Sequence, residues 1–301
     1  MDIEALNAEF GIDGTLHIGS GRGDLTMIEI TNDLATALIS SHGGQVLAYR
    51  PTTAADDLLF ISGRAWFTSG KEIKGGVPIC WPWFGIDPEG RGRTIHGFAR
   101  TRPWSILATA TLPSGATRVT LGLADDATTL ALWPHHFNLL VEITVGATLT
   151  VELITRNASG KHFQITQGLH SYFRVGDATR VRVLGLEGCD YIDKAAGARD
   201  AIVTQEGPVT VAAEVNRIYE SVPPVLTIED PVLDRCIRIR SRHSATTVVW
   251  NPWVETTRAM ADLADEDYRS MLCVETVNAA SEVIGVPSGG EARLAAEYAI
   301  E

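Results

Sequence analysis

Three short segments carry the side chains best suited to chemistry. They are His96-Gly97-Phe98-Ala99-Arg100, Gln167-Gly168-Leu169-His170-Ser171-Tyr172-Phe173 and Leu272-Cys273-Val274-Glu275-Thr276. A histidine and a glutamate together suit one task above others: moving protons to and from oxygen without breaking a carbon skeleton. Glu275 stands inside an apolar, strand-like run, where a carboxylate is costly to bury unless it is paired or used. His170 lies in a run that is otherwise apolar or aromatic, and Tyr172, two residues on, shares its face if the strand is regular. Taken alone, a histidine in that setting reads more readily as a hydrogen-bonded structural residue. His96 and Arg100, if extended, lie on one face roughly 13 Å apart, a span that fits two ends of one sugar phosphate. The same pair also suits a surface loop.

The cations point the same way. From Arg64 to Arg102 there are seven (Arg64, Lys71, Lys74, Arg91, Arg93, Arg100, Arg102) against three acids (Glu72, Asp87, Glu89), in a chain of net charge -12. A local positive field inside an acidic protein suits a small anionic ligand. The tryptophans and phenylalanines between the cations suit a flat, partly apolar face such as a sugar ring.

Other constellations carry less. His135 and His136 are adjacent, would point to opposite faces of a strand, and could not chelate one metal together. Asp265, Glu266 and Asp267 read as an acidic cap or solvated face, without calcium-ligand geometry. The four cysteines (Cys80, Cys189, Cys236, Cys273) are far apart and show no metal spacing, so reduced thiols in a cytoplasmic protein are expected. No nucleophile elbow, zinc-protease motif or phosphate loop is visible. The acidic balance argues against nucleic acid and anionic membrane as partners, and neither a secretory signal nor a membrane-length apolar run is apparent.

Strand signals must position these groups. Leu25 to Ile30, Thr36 to Ser40 and Gln45 to Arg50 are short and β-rich, and Leu149 to Asn157 alternates apolar and polar residues as a half-buried strand requires. Turn residues recur every 8–12 positions or so, the spacing of all-β sandwiches and barrels. Ile3 to Phe10 is expected as a short helix, and Asp265 to Met271 as another with Asp265 capping its first free amides. No linker is long or polar enough to divide residues 1–301, so one domain is expected.

The chain resembles the hexose-6-phosphate mutarotases (glucose-6-phosphate 1-epimerases) of the aldose 1-epimerase, or galactose mutarotase-like, superfamily. The resemblance rests on GGQVLAYRP, KGGVPICWPWFG, HGFARTRPW, WPHHFNL, QGLHSYFRVGD, YIDK, VWNPW and MADLADEDYRSMLCVETVNA, which span nearly the whole chain. It implies a large, twisted, antiparallel β-sandwich with few helices and the active site on a concave sheet face. It implies His170 as acid and Glu275 as base, and we expect the two to converge on opposite sides of one pyranose. It implies His96 as a sugar contact, Arg100 and Lys74 as phosphate contacts and Asn216 as a partner of sugar hydroxyls. The expected ligand is a small sugar phosphate, with no cofactor and no metal, and the expected state is a monomer or weak homo-oligomer.

Three positions depart from the family's pattern. Lys74 replaces an arginine and loses the bidentate fork that suits phosphate. Ile95 stands where some relatives place a glutamine. Asn216 replaces an aspartate and bonds hydroxyls without charge assistance. These bear on sugar preference more than on reaction class, and leave a mutarotase for unphosphorylated aldoses or a non-catalytic sugar-binding module as alternatives.

Overall fold

Alternation along the chain builds two large sheets that share one core. In the computed structural model, which describes residues 2–301, the strand Phe137–Val145 turns Phe137, Leu139, Val141, Ile143 and Val145 inward, all fully buried. The neighbouring strand Leu149–Asn157 starts where the sequence pattern placed it and pairs with it in antiparallel register from Phe137↔Asn157 to Val145↔Leu149. These two belong to one 8-stranded sheet. A second 8-stranded sheet contains Val215–Glu220, Thr246–Asn251, Met271–Asn278, Gln167–Leu169 and Ile79–Cys80 in that spatial order, with Tyr172–Arg174 also paired to Met271–Asn278. A 4-stranded meander (Leu16–Ser20 to Gln45–Pro51) and a 2-stranded pair complete the set. The expected all-β antiparallel sandwich is what the chain forms.

The strand Met271–Asn278 is buried along its whole length, so both of its faces are covered. Leu272 and Val274 face the main core, together with Val249, Leu169, Ile79, Leu294 and Tyr298. Met271, Cys273 and Val277 belong to a separate cluster with Tyr172, Val248, Trp250, Phe60 and Leu263. The period-2 alternation of a strand therefore puts Glu275, on the parity of Cys273 and Val277, on the face turned away from the sandwich core. Glu275 thus sits in a second, local enclosure and not in the main core.

Helices are short. Ile3–Phe10 forms as expected, with the Asp2 side chain accepting from the Glu4 and Ala5 amides. The expected helix from Asp265 is reduced to a 3-10 turn, Asp267–Arg269. Asp265 is instead drawn to Arg64 at 3.0 Å, while Asp267 accepts from the Ala264 amide and the Ser62 hydroxyl. Two helices had not been read from the sequence. Ala127–Leu132 opens on a capping box between Asp126 and Thr129, and Trp253–Ala259 follows Pro252. No helix among the described residues is long and apolar enough to cross a membrane.

Candidate active site

The outward-facing side chains of the second sheet form rows across the strands. One row runs Asn216, Trp250, Cys273 and Tyr172, and the next runs Ile218, Val248 and Glu275. The chain leaves its strand at His170 and Ser171, yet His170 and Tyr172 keep the common face expected of them. Their rings stack at 4.7 Å and 9°. Trp250 and His170 meet at a right angle, their ring centroids 5.8 Å apart. Next to His170, the Ser171 hydroxyl lies 2.5 Å from the Tyr298 hydroxyl, tying this segment to the other sheet.

His170 Nδ1 lies 3.4 Å from Glu275 Oε1, and both side chains are buried. His170 Nδ1 and Glu275 Oε2 lack hydrogen-bond partners of good geometry, an expensive state for polar atoms taken from water. Burial pushes the Glu275 carboxyl well above the ordinary carboxylate range, against the opposing field of Arg100. Burial pushes the His170 imidazole well below its ordinary value, and His96, Arg100 and Lys74 act in the same direction. The neutral pair, carboxylic acid beside imidazole, is therefore favoured. It holds the same number of protons as the ion pair, so it can both give and take one. The two groups stand side by side, which corrects the expectation that they flank a pyranose from opposite sides; no ring fits between them.

His96 joins from the loop before Arg100, its ring 5.5 Å from that of His170 and 4.7 Å from Phe84. Its Nδ1 accepts from the Gly85 amide at 3.1 Å, which fixes the tautomer with the proton on Nε2. Burial and the Arg100 charge hold its pKa down to about 3. The segment is not extended, which corrects the 13 Å reading. His96 has φ 64°, Gly97 φ 70°, and Arg100 lies in the 3-10 turn Ala99–Thr101. A Cβ on Gly97 would stand 2.0 Å from the Trp81 carbonyl oxygen, so only glycine lets this loop close on the tryptophan.

The cations are nearby, but they are paired. The turn after Lys74 packs against Val46, where a Cβ on Gly76 would meet the Val46 carbonyl oxygen at 2.2 Å. Gln45 secures it by donating to the Ile73 and Gly75 carbonyls. Lys74 Nζ lies 2.9 Å from Glu72 Oε1 and 3.4 Å from Asp262 Oδ2. Arg100 lies 2.5 Å from Glu72 Oε2. Of the other cations, Arg64 meets Asp265, Arg91 meets Glu89, and Arg93 meets Asp87 beneath the Trp83 ring. Asp262 and Asp265 arrive from the far end of the chain and halve the segment's expected positive excess. Glu72 and Asp262 are the residues the sequence reading missed. The one signal was Glu72 two positions from Lys74.

Asn216 stands across from Trp250, half-buried on the site face, two strands and so about 10 Å from Cys273. His135 packs on Trp133 and His136 pairs with Asp125, consistent with structural roles. All four cysteines are free. Cys273 adds its sulfur to the His170–Glu275 pair, and the three ligating atoms lie within 4.8 Å of one another. That buried N, O and S donor set could hold one divalent ion of the zinc type. A groove of about 790 Å³ under the N-terminal helix, lined by Ile3, Asn7, Leu16 and Glu29 among others, is unconnected with these groups.

A sandwich of this form, with a buried histidine and glutamate on an outer sheet face, fits the sugar epimerases. The chain belongs to the aldose 1-epimerase family, whose model matches residues 26–298. It is 36% identical over 256 residues to a Salmonella typhimurium protein named "Putative glucose-6-phosphate 1-epimerase", covering 85% of this chain and 84% of that one. A protein of the same name in Escherichia coli is 34% identical over the same length and shares. A crystal structure of a "putative mutarotase (YeaD)" from Salmonella typhimurium superposes with a TM-score of 0.88 at 31% identity, covering 100% of this chain and 99% of that one.

Proposed function

We propose that this chain is an isomerase that interconverts the α and β anomers of a hexose 6-phosphate, with glucose 6-phosphate as the leading substrate. The observation that carries the reading is the 3.4 Å approach of His170 to Glu275 on the outer sheet face. A cyclic aldose opens when the C1 hydroxyl loses a proton and the ring oxygen gains one. Both oxygens hang on the same carbon, so acid and base must stand side by side, as these two do. Glu275 takes the hydroxyl proton and His170 gives its proton to the ring oxygen. Rotation about C1–C2 then presents the other carbonyl face, and the same groups run in reverse. Before substrate arrives burial favours the proton on Glu275; transfer across the short gap to His170 creates the active form. Positioned proton transfer of this kind contributes typically ~10²–10⁴-fold.

His96, with its proton on Nε2, steadies the charge that develops on oxygen. Arg100 and Lys74 engage the phosphate, so that remote binding energy orients the ring. Asn216 bonds a sugar hydroxyl. We read the chain as one domain acting as a monomer or weak homo-oligomer, without nucleic acid or membrane, and with no metal or redox cofactor in the reaction. The names borne by the relatives support the phosphorylated substrate. One observation favours a second reading, an aldose without phosphate: both cations are already engaged by Glu72. Anomer exchange measured side by side on glucose 6-phosphate and glucose separates the two. Faster exchange per unit enzyme on glucose 6-phosphate supports the first; preference for glucose overturns it.

A further inference from the structure

Glu72 holds a position that no catalytic or binding role explains. Its two carboxylate oxygens are split between the two cations, Oε1 at 2.9 Å from Lys74 Nζ and Oε2 at 2.5 Å from Arg100. The Lys74 and Arg100 side chains are 6% and 7% exposed, whereas that of Glu72 is 22% exposed. Asp262, 7% exposed and 3.4 Å from Lys74, completes the cluster. Two acids and two cations leave the cluster with no net charge. Burial pushes the Glu72 carboxyl up, but Arg100 and Lys74 overcome this and hold it below its ordinary range, so it is ionised at neutral pH.

We propose that Glu72 sets the site's preference between phosphorylated and unphosphorylated sugars by occupying, in the empty site, the cation pair that a substrate phosphate would take. The proposal rests on the reading of this face as a mutarotase site and adds to it the residue that decides specificity. A sugar phosphate must displace the carboxylate, and the exposure of Glu72 marks it as the member of the cluster free to swing toward solvent. A neutral aldose displaces nothing. A built-in anion thus taxes phosphate binding, because a phosphate and a carboxylate compete for the same buried donors. Arg100 also lowers the pKa of Glu275 and of His96, so the anion that pairs with Arg100, Glu72 or phosphate, bears on both.

The test is the ratio of KM for glucose to KM for glucose 6-phosphate in the intact chain and in Glu72→Gln. That ratio rises at least tenfold in the variant if Glu72 competes with phosphate; an unchanged or lower ratio overturns the proposal. Calorimetric titration of inorganic phosphate gives a readout that does not depend on catalysis. Phosphate binds Glu72→Gln more tightly than the parent by a similar factor, and equal or weaker binding counts against the proposal. Should Glu72→Gln fail to fold, Glu72→Asp, which retracts the carboxylate by one methylene, carries the same comparison with the same sign. A parent chain that exchanges no anomers defeats the proposed function, while the phosphate titration still decides the role of Glu72.

Discussion

His170 and Glu275, more than a hundred positions apart in sequence, meet with 3.4 Å between Nδ1 and Oε1 on one face of one sheet. The meeting follows from one strand register. Tyr172 lies opposite Cys273, and His170 and Glu275 are the residues two positions before and two after that pair, in strands that run antiparallel. Parity then places both on the same side. Because the pair is enclosed, its protonation is set by burial more than by either side chain's ordinary chemistry.

The pH profile of turnover follows from those shifts. The working pair holds one exchangeable proton. It is lost as pH rises through the raised value of Glu275, and a second proton is gained only below the lowered value of His170. The alkaline limb therefore lies well above the ordinary carboxylate range, and the acid limb lies below the ordinary imidazole value of 6.5. An acid limb centred at that ordinary value would show that His170 is not desolvated in the working enzyme.

Stability should respond in a linked way. A carboxyl whose folded-state pKa is raised binds its proton more tightly in the folded chain, so folding loses stability as pH rises from the ordinary carboxylate range through the raised value. Glutamine has no proton to lose. Glu275→Gln thus melts a few degrees above the parent at about pH 8, and the gap shrinks toward about pH 5. A gap that grows on acidification would reverse the sign and contradict the assignment.

Arg100 offers a substrate-dependent test. A charge-assisted bond to phosphate contributes about 1.5–3 kcal/mol, so Arg100→Ala should raise KM for glucose 6-phosphate by on the order of tenfold or more. Turnover of glucose should suffer much less. Equal losses on both sugars would remove the phosphate role of Arg100 and leave it only its field on Glu275 and His96.

The His170, Cys273 and Glu275 donor set gives a chemical probe. Zinc takes nitrogen, sulfur and oxygen ligands at about 2.0–2.3 Å, and the three atoms already lie within 4.8 Å of one another. Zinc ions should inhibit anomer exchange, a chelator should restore it, and Cys273→Ser should weaken the inhibition. Inhibition that Cys273→Ser leaves untouched would place the metal elsewhere.

The sequence made the strands legible wherever alternation was long, as in Leu149–Asn157, and the first helix legible through its Asp2 cap. Residue chemistry alone nominated His96, Arg100, His170 and Glu275 as candidates, and the family resemblance added roles for Lys74 and Asn216. What stayed hidden depends on residues distant in sequence. Asp262 reaches Lys74 from the loop after Trp253–Ala259, and Arg64 recruits Asp265 from the helix start expected there. Charge counted along the chain overstated the positive field because it could not see these partners. The side-by-side placement of His170 and Glu275 was hidden for a related reason: it is a cross-strand relation, and local spacing carries no information about register.

The central claim is that His170 and Glu275 carry the proton transfers. Its most direct test is magnetization exchange between the anomeric protons of glucose 6-phosphate, recorded by NMR with the parent chain, Glu275→Gln and His170→Ala, each checked for a native far-ultraviolet spectrum. Each substitution is expected to lower the catalysed exchange rate by ~10²–10⁴-fold in a folded protein. Full exchange in both folded variants would contradict the central claim.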